Sequence, residues 1–224
     1  MKQIGSSQAS RVTLAWAWRS IGLVLTVAMA MAAPWVQAQN VSFGPATFTK
    51  SVDLADTPIN LNGAGIRYRF GFKVYAAGLY LQNKAATPEA ALSAGGPKRI
   101  QLVMLREVDG AELGKLFVRG IENNTPKGED LSKIVPGTAR LGDAFAQVFA
   151  GGKKLTVGET LTLDFVPGVG TIMSHNGKQV GDATKEPQFY VALMRLWLGQ
   201  DPADRQLKEA MLGQAAPAPA KAAI

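Results

Sequence analysis

The amino-acid sequence predicts an α+β fold built around a mostly antiparallel sheet. Polar and apolar residues alternate from Ile66 to Tyr75 with a period of two, which is typical of a strand or of a hairpin bent at Gly71. Asn176-Gly177 indicates a second hairpin, because type I′ turns need a positive φ angle at both central residues. Along the chain, groups of strands and groups of helices follow one another, which favours an α+β arrangement.

The first 38 residues have the order of a secretory signal peptide. Lys2, Arg11 and Arg19 precede an apolar run at 21–33, and small residues follow, with cleavage expected after Ala38. A membrane anchor is the alternative, but the apolar run is shorter than the roughly 20 residues of a spanning helix. We therefore expect a periplasmic protein without a stable membrane anchor after cleavage.

One domain is expected to follow, over residues 39–213, because a chain of this length can bury its own core. Residues 214–224 are mainly alanine and proline and are predicted to be disordered. The formal net charge is +7, and three of these charges lie in the predicted signal peptide, which leaves +4. The remaining basic residues are dispersed, so the sequence does not predict a nucleic-acid partner.

Segments rich in β-branched and aromatic residues predict the strands. They lie at 43–48, 49–54, 59–61, 63–81, 98–108, 160–165, 171–174 and 178–180. Segment 98–108 is apolar on both faces, which is typical of a central strand. Asp109-Gly110 after it is interpreted as a turn.

Apolar residues at helical spacing predict the helices. They fall at 88–94, 113–121, 141–149, 189–197 and 202–212, with a helical turn at 130–134. Thr87 before Pro88 is a typical helix start, since proline at the first helical position loses no hydrogen bond.

Two short motifs carry a resemblance to a known family. Gly63-Ala64-Gly65-Ile66-Arg67 and the segment 73–81 resemble the first conserved block of the chalcone isomerase superfamily, more narrowly its bacterial exported members. Segments 101–123, 159–165 and 189–199 and the Asn176-Gly177 hairpin fit the later blocks. The resemblance implies an open-faced β-sandwich, in which a layer of helices covers a large antiparallel sheet and a ligand cleft lies between them.

The same resemblance implies a site at Arg67 and Tyr75. Arg67 takes the position of the arginine that holds the substrate oxyanion in the plant isomerases, and Tyr75 takes the position of a threonine that polarises the substrate ketone. A tyrosine hydroxyl can donate the same hydrogen bond. The linker between Arg67 and Lys73 is shorter than in the plant enzymes, so Arg69 is an alternative to Arg67.

Three other polar positions of the plant sites correspond here to Leu113, Gly120 and Leu196. A pocket that keeps an arginine and a hydroxyl but loses these polar groups favours an apolar ligand with one anionic group, as in the fatty-acid-binding relatives. The leading hypothesis is therefore a non-catalytic protein that binds a small amphipathic or aromatic ligand. An intramolecular lyase acting on a conjugated ketone and a structural envelope protein are the alternatives.

The sequence predicts no metal-binding, cofactor-binding or nucleophilic site. The chain has no cysteine and one histidine, His175, so no thiolate or multi-histidine metal site and no cofactor are predicted. His175 precedes the Asn176-Gly177 turn and is expected to be exposed. Gly63 and Gly65 lack the strand-to-helix context of a dinucleotide-binding motif, and they indicate a bulge or a close backbone approach. Tyr80 is expected in the core or on the sheet surface.

Overall fold

The computed structural model describes residues 40–214. The predicted signal peptide, residues 1–38, lies outside the described residues, as do residues 215–224 of the predicted tail. Within the described range, no helix is both long and apolar enough to cross a membrane.

The centre of the fold is a seven-stranded antiparallel sheet. Its strands are β3 (Ser51–Leu54), β4 (Thr57–Arg69), β5 (Phe72–Leu81), β6 (Lys98–Met104), β9 (Thr160–Val166), β10 (Gly170–His175) and β11 (Lys178–Thr184). Across the sheet the order is β11-β10-β9-β6-β5-β4-β3. The central position of β6 confirms the prediction drawn from its two apolar faces.

Two short strand pairs, five α-helices and two 3-10 turns, Leu131–Lys133 and Ala150–Gly152, complete residues 40–214. The pairs are β1 (Val41–Phe43) with β2 (Ala46–Phe48), and β7 (Val108–Asp109) with β8 (Lys154–Leu155). The helices are α1 (Pro88–Ser93), α2 (Gly110–Asn124), α3 (Val135–Val148), α4 (Pro187–Leu198) and α5 (Arg205–Met211). The predicted α+β class and open-faced architecture are confirmed.

Both faces of the sheet are covered, and the hydrophobic core is larger on one face than on the other. The helices cover one face with the main core, which includes Phe117 of α2, Phe145 of α3 and Trp197 of α4. A smaller cluster on the other face holds Phe48 of β2 and Tyr80, which the sequence places in the core or on the sheet surface and which is fully buried. The helical face is therefore the one that can enclose a ligand cleft.

Strands β4 and β5 form the predicted hairpin bent at Gly71. Phe70 and Gly71 have φ angles of 49° and 78°, as a type I′ turn requires. The register pairs Arg67 with Tyr75, and a bulge lies between Arg67 and Tyr68. Because directly paired residues point to the same face of a sheet, the hairpin places Arg67 and Tyr75 side by side.

The predicted strand 43–48 is divided by a turn at Gly44-Pro45, and the predicted end of the strand at 98–108 is wrong. Segment 98–108 ends as a strand of the main sheet at Met104, and Asp109 is the N-cap of α2 rather than a turn residue. The Asp109 carboxylate accepts the Glu112 N–H at 2.9 Å, which satisfies a free donor of the first helical turn. The helix consequently begins at Gly110, three residues before the apolar stripe that predicts it.

The Gly63-Ala64-Gly65 motif marks a close approach and a bulge, as its sequence predicts. A bulge lies between Leu61 and Gly63, and α5 packs directly on β4 at this point. A Cβ atom added to Gly65 would lie 2.6 Å from the Cβ of Ala210. Only glycine lets α5 approach this closely.

Candidate functional site

Arg67 and Tyr75 lie on neighbouring strands beneath the helical layer. They are direct register partners, and the Cζ atom of Arg67 lies 5.5 Å from the centre of the Tyr75 ring. Tyr75 is fully buried, whereas Arg67 is half-buried near the turn of the hairpin. The two residues that the resemblance implies are thus brought together in the structure.

Tyr75 is held by a single hydrogen bond from the helical layer. The Trp197 Nε1–H donates to the Tyr75 hydroxyl oxygen at 3.0 Å. An indole nitrogen only donates, so the phenol acts here as the acceptor and keeps its own proton for another partner. Burial raises the pKa of Tyr75, against the opposing effects of the Arg67 charge and the Trp197 hydrogen bond, so the hydroxyl stays protonated at neutral pH.

Arg67 has an unused hydrogen-bond donor. Its Nε atom is buried and has no hydrogen-bond partner among residues 40–214. The ion pairs found in this range do not include Arg67. A buried polar atom without a partner is uncommon in folded proteins, so this donor calls for an explanation.

A cavity of about 160 Å³ adjoins these two residues. Its walls come from β4, β5, one face of α2, the end of α4 and the loop that precedes α5. The lining residues are Arg67, Tyr75, Leu116, Phe117, Arg119, Gly120, Asn123, Leu196, Asp201, Pro202 and Ala203. The cavity therefore combines two guanidinium groups and one carboxylate with an apolar wall.

Two of the three positions that lose polar groups line this cavity. Leu196 supplies part of its wall, and a Cβ added to Gly120 would lie 3.0 Å from the Leu196 Cγ. Leu113, by contrast, is buried in the main core and is not among the lining residues. Gly120 and Leu196 therefore supply an apolar part of the lining, beside the polar residues Arg119 and Asn123.

Packed aromatic rings limit the depth of the cavity. The Phe117 and Trp197 rings meet edge to face at 5.3 Å, with an interplanar angle of 88°. Phe117 makes a similar contact with Phe145 at 5.4 Å. The space between sheet and helices behind Tyr75 is therefore filled by side chains.

Arg69 does not take the place of Arg67. It is exposed near the hairpin turn, with its Cζ atom 5.2 Å from the Phe70 ring centre, and it is not among the cavity-lining residues. The bulge after Arg67 separates the environments of these two arginines.

Sequence reasoning misses cavity-lining residues such as Arg119 and Asn123, and it misses the role of Trp197, which contacts the lining residue Tyr75. Trp197 belongs to an apolar helical stripe and is interpreted as core, and nothing in that pattern indicates its hydrogen bond with Tyr75. Arg119 and Asn123 lie on the polar face of α2, where a solvated side chain is the usual outcome. These contacts depend on how α2 and α4 cross the sheet, which the spacing of apolar residues does not determine.

The predicted exposure of His175 is wrong. His175 is half-buried at the end of β10, with Nε2 3.1 Å from a Glu159 carboxylate oxygen and its ring 5.3 Å from that of Phe149. The adjoining Asn176-Gly177 hairpin is confirmed, with φ angles of 49° and 78°. Among residues 40–214, no group of three or more histidine or acidic residues is placed to hold a metal ion.

A second groove, of about 760 Å³, lies on the opposite face of α2. Its walls include Val118 and Ile121 of α2, and Ile134 and Val135 at the start of α3. The groove is larger and more apolar than the Arg67–Tyr75 cavity. It contains no arginine and no tyrosine, so it lacks the pair of donors that singles out the first site.

The fold is an α+β sheet covered by helices, with a small cavity lined by residues of β4, β5, α2 and α4. The sequence model of the family described as chalcone isomerase-like matches residues 40–213. The chain therefore belongs to the chalcone isomerase-like family, which confirms the resemblance found in its sequence motifs.

A solved structure gives the same fold. The chain is similar to a fatty-acid binding protein from Arabidopsis thaliana, with a TM-score of 0.57 and 19% sequence identity. The match covers 78% of this chain and 96% of that chain. At this identity the likeness shows the fold alone. No curated protein matches the sequence significantly.

Proposed function

We propose that this protein binds a small amphipathic ligand with one anionic group, of the fatty-acid type, in the Arg67–Tyr75 cavity. The observation that carries the proposal is the buried Nε of Arg67, which has no partner among residues 40–214, beside the Tyr75 hydroxyl, for which these residues provide no acceptor. Both groups donate hydrogen bonds, and both adjoin the same cavity. A carboxylate offers the acceptors that such a pair lacks.

Charge favours an anion at this position. Arg67 and Arg119 line the cavity with one acidic residue, Asp201, so the lining carries a net positive charge. Charge-assisted hydrogen bonds to a guanidinium are stronger than neutral ones, especially where water is excluded. The carboxylate is therefore expected to meet Arg67, with Tyr75 donating a second hydrogen bond.

The cavity volume limits the part of the ligand that is enclosed. A volume of about 160 Å³ is close to that of an engineered apolar cavity of about 150 Å³ that holds benzene. It accommodates an anionic group and a short apolar segment. A longer chain has to displace the Leu196 or Leu116 side chain or continue out of the cavity mouth.

We propose a periplasmic location, from the signal-peptide pattern of residues 1–38. The protein recovered from a periplasmic fraction should begin at Gln39. An unprocessed N-terminus, or recovery only in the cytoplasmic fraction, would overturn this part of the proposal.

Calorimetric titration with octanoate tests the binding site directly. Arg67→Ala should weaken binding by about 10- to 100-fold, because a hydrogen bond to a charged group contributes roughly 1.5–3 kcal/mol. Arg69→Ala is the matched control, since it removes a nearby exposed arginine and should leave the affinity unchanged. Equal losses in both variants, or unfolding of Arg67→Ala, would show that Arg67 is not the anion anchor.

Ring closure of a conjugated ketone is a second candidate, favoured by the adjacent guanidinium and hydroxyl. Arg67 would stabilise a phenolate, and Tyr75 would stabilise the developing enolate. A chalcone, with two aromatic rings, exceeds a benzene-sized cavity, which makes simple binding the better supported function. Loss of chalcone absorbance above the spontaneous rate, abolished by Arg67→Ala, would establish the lyase instead.

A structural or accessory role in the envelope is the third candidate function. It predicts that native mass spectrometry of the purified protein detects no bound small molecule and that no octanoate binding is measured. Either a co-purified amphipathic ligand or saturable octanoate binding would exclude a purely structural role for the cavity.

A further inference from the structure

The turn of the β4–β5 hairpin exposes three aromatic side chains to water. Phe70 is 86% exposed, Phe72 61% and Tyr68 41%. Phe70 also has a φ angle of 49°, in the left-handed region that favours glycine and asparagine. In water, Phe70 is therefore unfavourable in both its conformation and its exposure, which indicates a surface built for another environment.

Basic residues surround these aromatic rings. The Arg69 Cζ lies 5.2 Å from the Phe70 ring centre, and the Arg106 Cζ lies 5.0 Å from the Phe72 ring centre. Lys73 is exposed on the same hairpin. The tip, defined as Tyr68, Arg69, Phe70, Phe72, Lys73 and Arg106, thus combines apolar rings with three positive charges.

The neighbouring acidic residues already have partners. Glu107 forms an ion pair with Lys154 at 2.6 Å. Asp204 accepts the backbone N–H of Tyr68 at 2.9 Å and that of Leu207 at 3.1 Å. The ion pairs found among residues 40–214 include none of the three basic residues of the tip.

We propose that this hairpin tip docks reversibly onto a membrane surface that carries anionic lipids. Aromatic rings are stable at the boundary between lipid head groups and acyl chains. Lysine and arginine side chains are attracted to anionic head groups over about one Debye length. The rings match the apolar part of such a surface, and the guanidinium groups match its anionic head groups. Because a second copy of the chain is equally basic, charge complementarity favours a lipid surface as the partner.

Docking in this orientation places the cavity next to the bilayer. Arg67 is three residues from Phe70 along β4, a distance of about 10 Å at the usual rise of a strand. A docked tip therefore brings the Arg67–Tyr75 cavity near the head-group region, from which an amphipathic molecule can enter. The docking itself does not depend on ligand binding, so it can fail or succeed separately from the proposed function.

Vesicle flotation with the purified protein tests the proposal. Equimolar phosphatidylcholine–phosphatidylglycerol vesicles should carry the protein at low salt, whereas phosphatidylcholine alone should not. Arg69→Gln and Arg106→Gln should each weaken binding about fivefold, because a basic residue near an anionic surface contributes about 1 kcal/mol. High salt should reduce the binding of the wild type.

A double variant, Phe70→Asn with Phe72→Ser, separates insertion from charge. Asparagine suits the left-handed conformation at residue 70, so the hairpin should fold at least as well as in the wild type. Flotation should be lost while the circular dichroism spectrum and octanoate affinity are retained. Val169→Ser is the matched control, since Val169 is 46% exposed and lies at the opposite end of the sheet.

Three outcomes would overturn the proposal. One is the absence of wild-type flotation with anionic vesicles, and another is equal flotation of the wild type and the double variant. The third is tip-dependent self-association in the absence of lipid, measured by sedimentation, which would assign the tip to contact with a second copy.

Discussion

Trp197 and Tyr75 join the helical layer to the sheet through one hydrogen bond between fully buried side chains, 3.0 Å from indole nitrogen to phenol oxygen. The bond crosses from α4 to β5 immediately beside the cavity. The Trp197 N–H occupies one lone pair of the phenol oxygen. It therefore restricts the directions in which the Tyr75 hydroxyl can donate its own hydrogen bond.

Trp197→Phe should lower the free energy of unfolding by about 1–3 kcal/mol, since the buried Tyr75 hydroxyl loses its partner. Tyr75→Phe leaves the Trp197 N–H without an acceptor and should have a similar effect. Urea unfolding of both single variants and the double variant measures the coupling, expected at about 1 kcal/mol. Strictly additive effects would mean that the hydrogen bond contributes nothing.

Leu196→Ala should enlarge the cavity and change its preferred ligand. The substitution should lower the free energy of unfolding by about 2–5 kcal/mol, because it removes a buried side chain. Longer carboxylates should then bind more tightly relative to octanoate, which calorimetry can measure. Leu193→Ala, buried in the same helix but not lining the cavity, should cost comparable stability without changing the chain-length preference.

Asn62→Ala should be destabilising although it removes few atoms. The Asn62 side chain donates to the Ala85 and Met211 carbonyls at 2.9 and 2.7 Å, and it accepts the Ala85 N–H at 2.7 Å. Leaving these buried groups unpaired should cost about 2–4 kcal/mol in urea unfolding. Asn60→Ala, which removes one exposed hydrogen bond to Gln82, is the control and should cost less than about 1 kcal/mol.

Glu159 should make stability depend on acid pH. Partial burial raises the pKa of its carboxyl, but hydrogen bonds from Thr156 and Asn176 and the charge of His175 outweigh it, and the pKa lies below its ordinary value of 4.5. The ionised Glu159 carboxylate therefore stabilises the folded state fully above pH 4.5. This contribution is lost as the pH falls through the lower pKa that Glu159 has in the folded state.

Glu159→Gln keeps the shape of the side chain and removes the ionisation. The free energy of unfolding, measured by urea at a series of acidic pH values, should fall less steeply below the ordinary pKa in this variant than in the wild type. Parallel curves for the two proteins would contradict the assignment of Glu159 as a source of acid sensitivity.

The sequence predicts most of the fold because local patterns determine it. The hairpin bent at Gly71, the Asn176-Gly177 turn and the apolar stripes of α2 and α4 each depend on neighbouring residues, and each is confirmed. The end of β6 and the start of α2 are misjudged, because the cap formed by Asp109 leaves little signal in a hydrophobic pattern.

The candidate site is only partly predictable for a physical reason. Arg67 and Tyr75 share a face because of hairpin register, which follows from the local alternation. Trp197, which donates to Tyr75, and Asn123, which lines the cavity, come from helices far along the chain, and their positions depend on tertiary packing. His175 is misjudged for the same reason, since its contacts with Glu159 and Phe149 join distant segments.

The contact between β4 and α5 has a consequence for the order of folding. The hydrogen bond from Asn62 to Met211 spans 149 residues, so it cannot form until almost the entire domain has been synthesised. Contacts of such long sequence separation slow folding, because the intervening chain must be ordered first. Docking of α5 onto the glycine-rich strand β4 is therefore expected to be a late step, after the strands of the sheet have paired.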